Sequence, residues 1–116
     1  MQRFTLVPGS WAGTGLRIAY DAEQEKLVVN GRVSRLSATQ YTLVLALLQQ
    51  MVRFQQGTSG RPYVRFTELL RLMGTQSSGA LHAQMSEARA KLEPFGLGIE
   101  NVRERGYLIC GLSEEG

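Results

Sequence analysis

Apolar residues recur with two different periods along this chain, and the change of period divides it into three parts. Short runs that alternate between apolar and polar residues fill positions 1–36, which predicts a small antiparallel sheet. Apolar residues spaced three or four apart follow over 37–94 and predict three helices. Alternation returns over 97–112 and predicts a β-hairpin. This order predicts an α+β fold, with a single domain over 1–116.

The predicted sheet has three or four short strands, separated by residues that favour turns. The candidate strands are 3–7, 16–20, 26–29 and 32–36. Asn30 and Gly31 stand between the last two, and both tolerate the positive φ that a type I′ hairpin turn requires. Gly13 and Gly15 are interpreted as a turn, because no Lys-Ser/Thr pair follows them as in a phosphate-binding loop.

The first helix is predicted to begin after Ser37, a favoured N-cap residue, and to end near Gln55. Its apolar residues share one face over about four turns. They are Tyr41, Val44, Leu45, Leu48, Met51 and Val52.

A short strand at Tyr63 and Val64 and a second, shorter helix are predicted next. This helix is expected to begin near Thr67 and to end at Gly74, since glycine accepts the left-handed conformation of a C-cap. Its apolar residues are Leu69, Leu70, Leu72 and Met73.

The third helix is predicted over about 79–93. Four apolar residues recur at i, i+4, i+7 and i+11, so they form one stripe that must face a core: Leu81, Met85, Ala88 and Leu92. Ser77 and Ser78 can cap the first turn through their hydroxyls. Pro94 and Gly96 end the helix, because proline cannot continue it and glycine accepts the left-handed conformation.

The predicted hairpin carries two arginines near its tip. Ile99 and Val102 precede the turn, and Tyr107 and Ile109 follow it. The tip consists of Arg103, Glu104, Arg105 and Gly106. A helix followed by a basic-tipped hairpin suggests a winged helix-turn-helix, whose helix enters the DNA major groove while the hairpin, or wing, reaches along the backbone. The alternative is an ordinary α+β packing unit.

Charge and composition permit a nucleic-acid partner without requiring one. The 116 residues carry a formal net charge of +3, from 13 basic and 10 acidic residues. Eleven of the basic residues are arginines, which favour bidentate contact with phosphate or carboxylate. No apolar run is long enough to span a bilayer and the first residues lack a signal-peptide core, so we expect a cytoplasmic protein with no membrane partner.

Few residues suited to catalysis or metal binding are present. Cys110 is the sole cysteine and His82 the sole histidine, which excludes an internal disulfide and leaves no Cys/His set for zinc. No nucleophile with a base and no carboxylate pair in a recognisable setting can be identified. We therefore expect no enzymatic activity, no metal and no cofactor.

Three segments resemble a known family. The family opens its first helix with a segment that is similar to LSATQYTLVLALL at 36–48. Its LRKKLEP motif is similar to EARAKLEP at 87–94, and its TVRGxGYxI wing motif is similar to NVRERGYLI at 101–109. The chain thus resembles, from about Leu16 to Ile109, the DNA-binding effector domain of OmpR/PhoB-type response regulators. Glu104 stands where the family has glycine.

The resemblance implies a bacterial transcription regulator of a two-component system that binds DNA sequence-specifically. Such effector domains are normally controlled by an attached receiver domain, and the resemblance does not extend to a receiver. The chain is therefore expected either to act without one or to be part of a longer protein.

Candidate DNA contacts follow from the helical wheel together with the resemblance. His82 and Arg89 lie on one flank of the third helix, and Gln84 and Lys91 on the other. The full candidate set is Ser77, Ser78, His82, Gln84, Ser86, Arg89, Lys91, Arg103 and Arg105.

Most candidates have a second interpretation that the sequence leaves open. The serines can be caps only, and Arg89 can be a solvated side chain. His82 is interpreted as a surface or phosphate-contacting side chain, with a catalyst or metal ligand as the alternative. Arg103 can pair with Glu100 or Glu104, an ion pair of little energetic value at a surface. Tyr107 matches a family position and is interpreted as core or hinge packing.

Charges in the two predicted DNA-contacting elements cancel. Arg89 and Lys91 are balanced by Glu87 and Glu93, and the wing arginines by Glu100 and Glu104. Because phosphate neutralisation supplies non-specific affinity, we expect weak, salt-sensitive binding to double-stranded DNA, or dependence on a protein partner or homodimer. A winged-helix module that has exchanged DNA for a protein partner is the alternative function.

Overall fold

The computed structural model describes residues 5–6 and 15–112 of the chain. Within these residues an antiparallel sheet precedes three helices and a β-hairpin follows them, as predicted for a winged helix-turn-helix. A short strand between the first two helices joins the hairpin in a second antiparallel sheet. The interpreted turn at Gly13, and the ends of the first predicted strand, lie outside the described residues. No helix in the described part is long and apolar enough to cross a membrane.

The first sheet has the strand order β1-β2-β3-β4, all antiparallel. Its strands are β1 (Thr5–Leu6), β2 (Ile18–Asp21), β3 (Lys26–Val29) and β4 (Arg32–Val33). Asn30 and Gly31 turn the chain between β3 and β4 with φ of +51° and +81°, which confirms the predicted hairpin. β4 is shorter than predicted and ends at Val33. The backbone N–H and the hydroxyl of the next residue, Ser34, both donate to the Leu27 carbonyl, at 2.8 Å and 2.9 Å.

Helix α1 (Ala38–Gln55) begins and ends where the sequence predicted. Ser37 accepts from the Gln40 backbone N–H at 3.2 Å, and the Gln40 side chain accepts from the Ser37 N–H at 3.1 Å. This reciprocal capping box satisfies two backbone donors that helix formation leaves unpaired.

Helix α2 (Phe66–Met73) begins at the residue before Thr67, which agrees with the predicted start, and Thr67 does not cap it. Strand β5 (Val64–Arg65) leads directly into the helix, so that Arg65 is the N-cap. Its side chain makes no capping hydrogen bond, because arginine has no acceptor to offer to the backbone N–H groups. Gly74 ends α2 in the left-handed conformation, with φ of +69°, as predicted.

Helix α3 (Ser78–Leu92) lies within a residue of the predicted bounds. Ser77 is the N-cap and accepts from the Ala80 N–H at 3.1 Å, whereas Ser78 is the first helical residue and not a second cap. The predicted stripe of four apolar residues is buried. A short 3₁₀ turn (Glu93–Phe95) and Gly96, at φ +87°, complete the helix end.

The second sheet has the order β5-β7-β6 and contains the predicted hairpin, formed by β6 (Leu97–Val102) and β7 (Gly106–Gly111). Val64 pairs with Tyr107 and Arg65 with Gly106, so β5 ties the start of α2 to the hairpin. Buried residues of both sheets and all three helices form one cluster. Its fully buried members include Ile18, Leu27, Leu43, Leu47, Leu48, Leu69, Leu81, Met85, Leu92, Leu97 and Ile109.

Candidate nucleic-acid interface

The solvent-facing side of α3 is lined by small residues. Gly79, Ala83, Ser86 and Ala90 are exposed along it, opposite the buried stripe. Small side chains allow another surface to come close to the helix backbone, but none of them can form the paired hydrogen bonds by which Arg, Asn or Gln recognise a base. Specific polar contacts must therefore come from the two flanks of the helix.

One flank of α3 contacts the hairpin through His82. Its Nδ1 and the Tyr107 hydroxyl share a hydrogen bond, and both rings pack against Phe66 with edge-to-face geometry. The ring centroids lie 5.9 Å apart for Phe66 and His82 and 5.7 Å apart for Phe66 and Tyr107. His82 is half-buried in this cluster, which joins the start of α2, the middle of α3 and β7.

Arg89 lies on the same flank as His82, as the helical wheel predicted. Burial raises the pKa of the Tyr107 hydroxyl above its usual value, and the positive charge of Arg89 partly opposes that shift. The Tyr107 hydroxyl is therefore protonated near neutral pH. Arg89 itself is exposed and has no hydrogen bond or ion pair to the described residues, so its guanidinium is available to a ligand.

The other flank of α3 is bound to the start of α1. Gln40 is 1% exposed, and its side-chain N–H donates to the Gln84 carbonyl oxygen at 3.1 Å. The Lys91 ammonium donates to the Gln40 oxygen at 2.8 Å and lies 3.6 Å from the Glu87 carboxylate. A DNA contact by Gln84 or Lys91 would thus compete with these internal bonds.

The hairpin tip presents Arg103, Glu104 and Arg105 to solvent. The Arg105 N–H donates to the Val102 carbonyl at 2.9 Å and closes the turn, while Glu104 has a φ of +61°. Neither arginine forms an ion pair within the described part of the chain, so the pairing of Arg103 with Glu100 or Glu104 does not occur there. Both side chains are exposed, and neither guanidinium group has a hydrogen bond or ion pair to the described residues.

Gly106 allows β5 to pack against the hairpin. A Cβ atom added at this position would lie 1.9 Å from the Val64 carbonyl oxygen and 2.7 Å from its carbon. Both atoms belong to the backbone, which cannot move aside as a flexible side chain could. The position of β5, and with it the start of α2, therefore requires glycine here.

The arrangement matches solved structures of DNA-binding domains. The DNA-binding domain of the response regulator AdeR, crystallised with an intercistronic region, has a TM-score of 0.64 and 19% identity, over 81% of this chain and 93% of that one. The DNA-binding domain of CpxR from E. coli has a TM-score of 0.63 and 22% identity, over 83% and 92%. The fold is that of OmpR/PhoB-type DNA-binding domains.

No family model matches the chain, and no curated protein matches it either. In this winged-helix fold the β6–β7 hairpin is the wing, and it lies beside α3. Among the described residues no cluster of His, Cys, Asp and Glu could hold a metal ion.

Arg65 was not among the residues predicted from the sequence, yet it lies beside the wing. A cleft of about 310 Å³ separates the wing tip from the start of α2, and Arg65, Phe66, Thr67 and Arg105 are among its lining residues. The strand pairing of Arg65 with Gly106 produces this placement. The sequence shows that Arg65 is a basic residue just before a helix start. Its position beside the wing could not be predicted, because it results from the pairing of Arg65 with Gly106.

Replacing Glu104 by glycine is expected to raise the free energy of unfolding by about 0.5 to 1 kcal/mol, because glycine adopts a positive φ without the steric cost that other residues incur. Urea denaturation followed by circular dichroism measures the change. Glu104→Gln is the matched control, since it removes the charge and keeps the strained backbone. Equal stabilisation by the two variants would show that charge, and not the positive φ, is responsible.

Proposed function

We propose that this protein is a cytoplasmic DNA-binding transcription regulator of the OmpR/PhoB effector type. In this proposal α3 enters the major groove and the wing contacts the backbone or the minor groove. The observation that carries the proposal is a set of three exposed arginines on the wing-side flank of α3 and at the wing tip. The side chains of Arg89, Arg103 and Arg105 have no hydrogen bond or ion pair to any residue that the structure describes. Guanidinium groups are well suited to phosphate oxygens and to the edge of guanine.

The likeness to the AdeR domain supports this proposal, since that domain was crystallised with DNA. Ser78 and Ser86 add hydroxyls on exposed positions of α3, where they can donate to phosphate. Ser77 contributes less, because its hydroxyl oxygen already accepts from the Ala80 N–H. His82 is held by Tyr107 and acts by fixing the wing against the helix.

Affinity is expected to be weak and strongly dependent on salt. Three phosphate contacts would give a slope of roughly −3 in a plot of log affinity against log salt concentration. Glu87, Glu93, Glu100 and Glu104 reduce the attraction further, since they carry negative charge into the same region. We therefore propose that two copies, or one copy with a protein partner, occupy adjacent DNA sites in the cell.

A protein-binding module is the second candidate function. The exposed face of Gly79, Ala83, Ser86 and Ala90 favours it, because small residues let a partner approach the helix closely. In that case the folded chain would not bind duplex DNA even at low salt.

Replacing Arg89 or Arg105 by alanine tests the assigned DNA surface. Each variant is expected to weaken binding and to lower the magnitude of the salt slope by about one, because one phosphate contact is lost. Fluorescence anisotropy with a labelled duplex measures both quantities. Arg35→Ala is the matched control, since Arg35 is exposed on the connection between β4 and α1. Equal effects of all three variants would mean that only net charge matters and would remove the assignment.

A further inference from the structure

A second concentration of arginines lies away from the exposed face of α3. A cleft of about 400 Å³ runs between α1 and α2, and we refer to it as the α1–α2 groove. Gln49 and Arg53 of α1 line one side. The other side is formed by Arg65 at the end of β5 and by residues of α2, among them Glu68, Arg71 and Leu72. No residue of α3 lines it.

The groove has more positive charge than its own residues neutralise. Its carboxylate, Glu68, already contacts Arg61, with 3.4 Å between the guanidinium nitrogen and the carboxylate oxygen. Arg53 donates only to the neutral Gln50 oxygen, at 2.9 Å. Arg65 and Arg71 are exposed, and their guanidinium groups have no hydrogen bond or ion pair to the described residues. Arg53 on one side of the groove, and Arg65 and Arg71 on the other, thus carry positive charge that pairs with no carboxylate of the described residues.

An apolar side chain completes the groove. Leu72 is 48% exposed and borders the groove. A ligand that fills the groove would cover part of Leu72 and place negative groups against the arginines. Planar guanidinium groups bind carboxylates through two parallel hydrogen bonds, which adds geometric selectivity to charge.

We propose that the α1–α2 groove binds an acidic segment of a protein partner, with carboxylates that pair with Arg53 and Arg71 and an apolar residue that packs on Leu72. This interaction is separate from the proposed DNA contact and does not depend on it. Through it the domain recruits a second protein on the side formed by α1 and α2.

Charge and shape favour a polypeptide over nucleic acid as the occupant. A phosphate backbone gains from continuous positive charge, and here Glu68 and Leu72 interrupt it. A peptide can match that alternation, because it combines carboxylates with apolar side chains. Arg65 lines both this groove and the cleft between the wing tip and the start of α2. Arg53 and Arg71 line the groove but not that cleft. Changes at Arg53 and Arg71 therefore test the proposal without altering the cleft beside the wing tip.

The test uses a fluorescein-labelled peptide of repeated Glu-Glu-Leu-Glu units, about 16 residues long, with fluorescence anisotropy as the readout. A second peptide has serine in place of each leucine. The protein variants are the double change Arg53→Glu with Arg71→Glu, and the single change Leu72→Ala. The matched control is Arg17→Glu with Arg35→Glu, which changes the net charge equally at two exposed positions outside the groove. Circular dichroism verifies that each variant is folded.

We expect saturable binding of the leucine-containing peptide, a roughly tenfold or greater loss in the groove variant, and a smaller loss in the control. Leu72→Ala and the serine peptide should each weaken binding several-fold. In NMR spectra of the ¹⁵N-labelled protein, the shifted amide signals should cluster at 46–53 and 64–72. Absence of saturable binding, equal losses in both double variants, or shifts outside the groove would overturn the proposal.

Duplex DNA provides the remaining comparison. If the groove variant lost markedly more duplex affinity than the control variant, the groove would be part of a DNA-backbone surface, and the proposal of an acidic protein partner would be wrong. We expect the groove variant to bind duplex DNA as tightly as the control variant does, and to lose its affinity for the peptide. A failure of the DNA proposal would leave this peptide result unaffected.

Discussion

Replacing Gly106 by alanine is expected to lower the free energy of unfolding by about 3 kcal/mol, since overpacking against backbone atoms forces the elements apart. The added methyl group would overlap the Val64 carbonyl, at 1.9 Å from its oxygen. Relief requires β5 to separate from β7. Because Arg65 is both the last residue of β5 and the N-cap of α2, that separation would also displace the start of α2.

Urea denaturation followed by circular dichroism measures this loss. Gly98→Ala is the matched control in the neighbouring strand of the same hairpin. There the nearest atom to an added Cβ, at 2.8 Å, is the Leu112 Cδ2, the far end of an exposed, flexible side chain. The control should therefore cost less than about 1 kcal/mol. Equal effects of the two alanines would contradict the requirement for close packing between β5 and β7.

Replacing Gln40 by alanine is expected to lower the free energy of unfolding by about 2 kcal/mol, from the loss of one capping interaction and of buried hydrogen bonds. The Gln40 side chain contacts three groups at once, namely the Ser37 N–H, the Gln84 amide and the Lys91 ammonium. Its removal leaves Gln84 and Lys91 half-buried without that partner. The junction between α1 and α3 would then be less firmly held.

Gln40→Glu separates the hydrogen bonds from the shape of the side chain. The carboxylate still accepts from the Ser37 N–H and from Lys91, and rotation of the Gln84 amide lets it donate in turn. We expect stability within about 0.5 kcal/mol of the parent protein at neutral pH, since each contact has a replacement. Urea denaturation of both variants provides the comparison. A loss in Gln40→Glu as large as in Gln40→Ala would contradict this assignment of contacts.

Elements determined by local pattern were predicted well from the sequence. The bounds of α1 follow from Ser37 and a long apolar face, and those of α3 from Ser77 and the buried stripe that ends at Leu92. The turn at Asn30 and Gly31 was predicted because its conformation depends on the two residues themselves. In each case the information lies within one helix or one hairpin.

Features that depend on long-range contacts were not predicted in full. β5 forms because Val64 pairs with Tyr107, and α2 begins at Phe66 because that strand leads into it. No local sequence pattern predicts a pairing between residues so far apart in the chain. The sequence therefore predicted a short strand at Tyr63 and Val64 and a helix start near Thr67, but not the strand that pairs with Val64.

The candidate site was likewise predicted only as far as local sequence determines it. The helical wheel placed the flanks of α3 correctly, with His82 and Arg89 on one side and Gln84 and Lys91 on the other. What each flank contacts could not be predicted, because Gln40 lies 44 residues before Gln84 and 51 before Lys91. The DNA-contacting roles themselves stay predictions. Their main support is the three arginines whose side chains have no partner among the described residues.

The most direct test of the account is whether the folded chain binds DNA through α3 and the wing. Fluorescence anisotropy with a labelled random-sequence duplex should be measured at low salt and again at near-physiological salt. The account predicts saturable binding at low salt that weakens as salt rises, with a log–log slope of roughly −3. A folded sample that shows no binding even at low salt would contradict it.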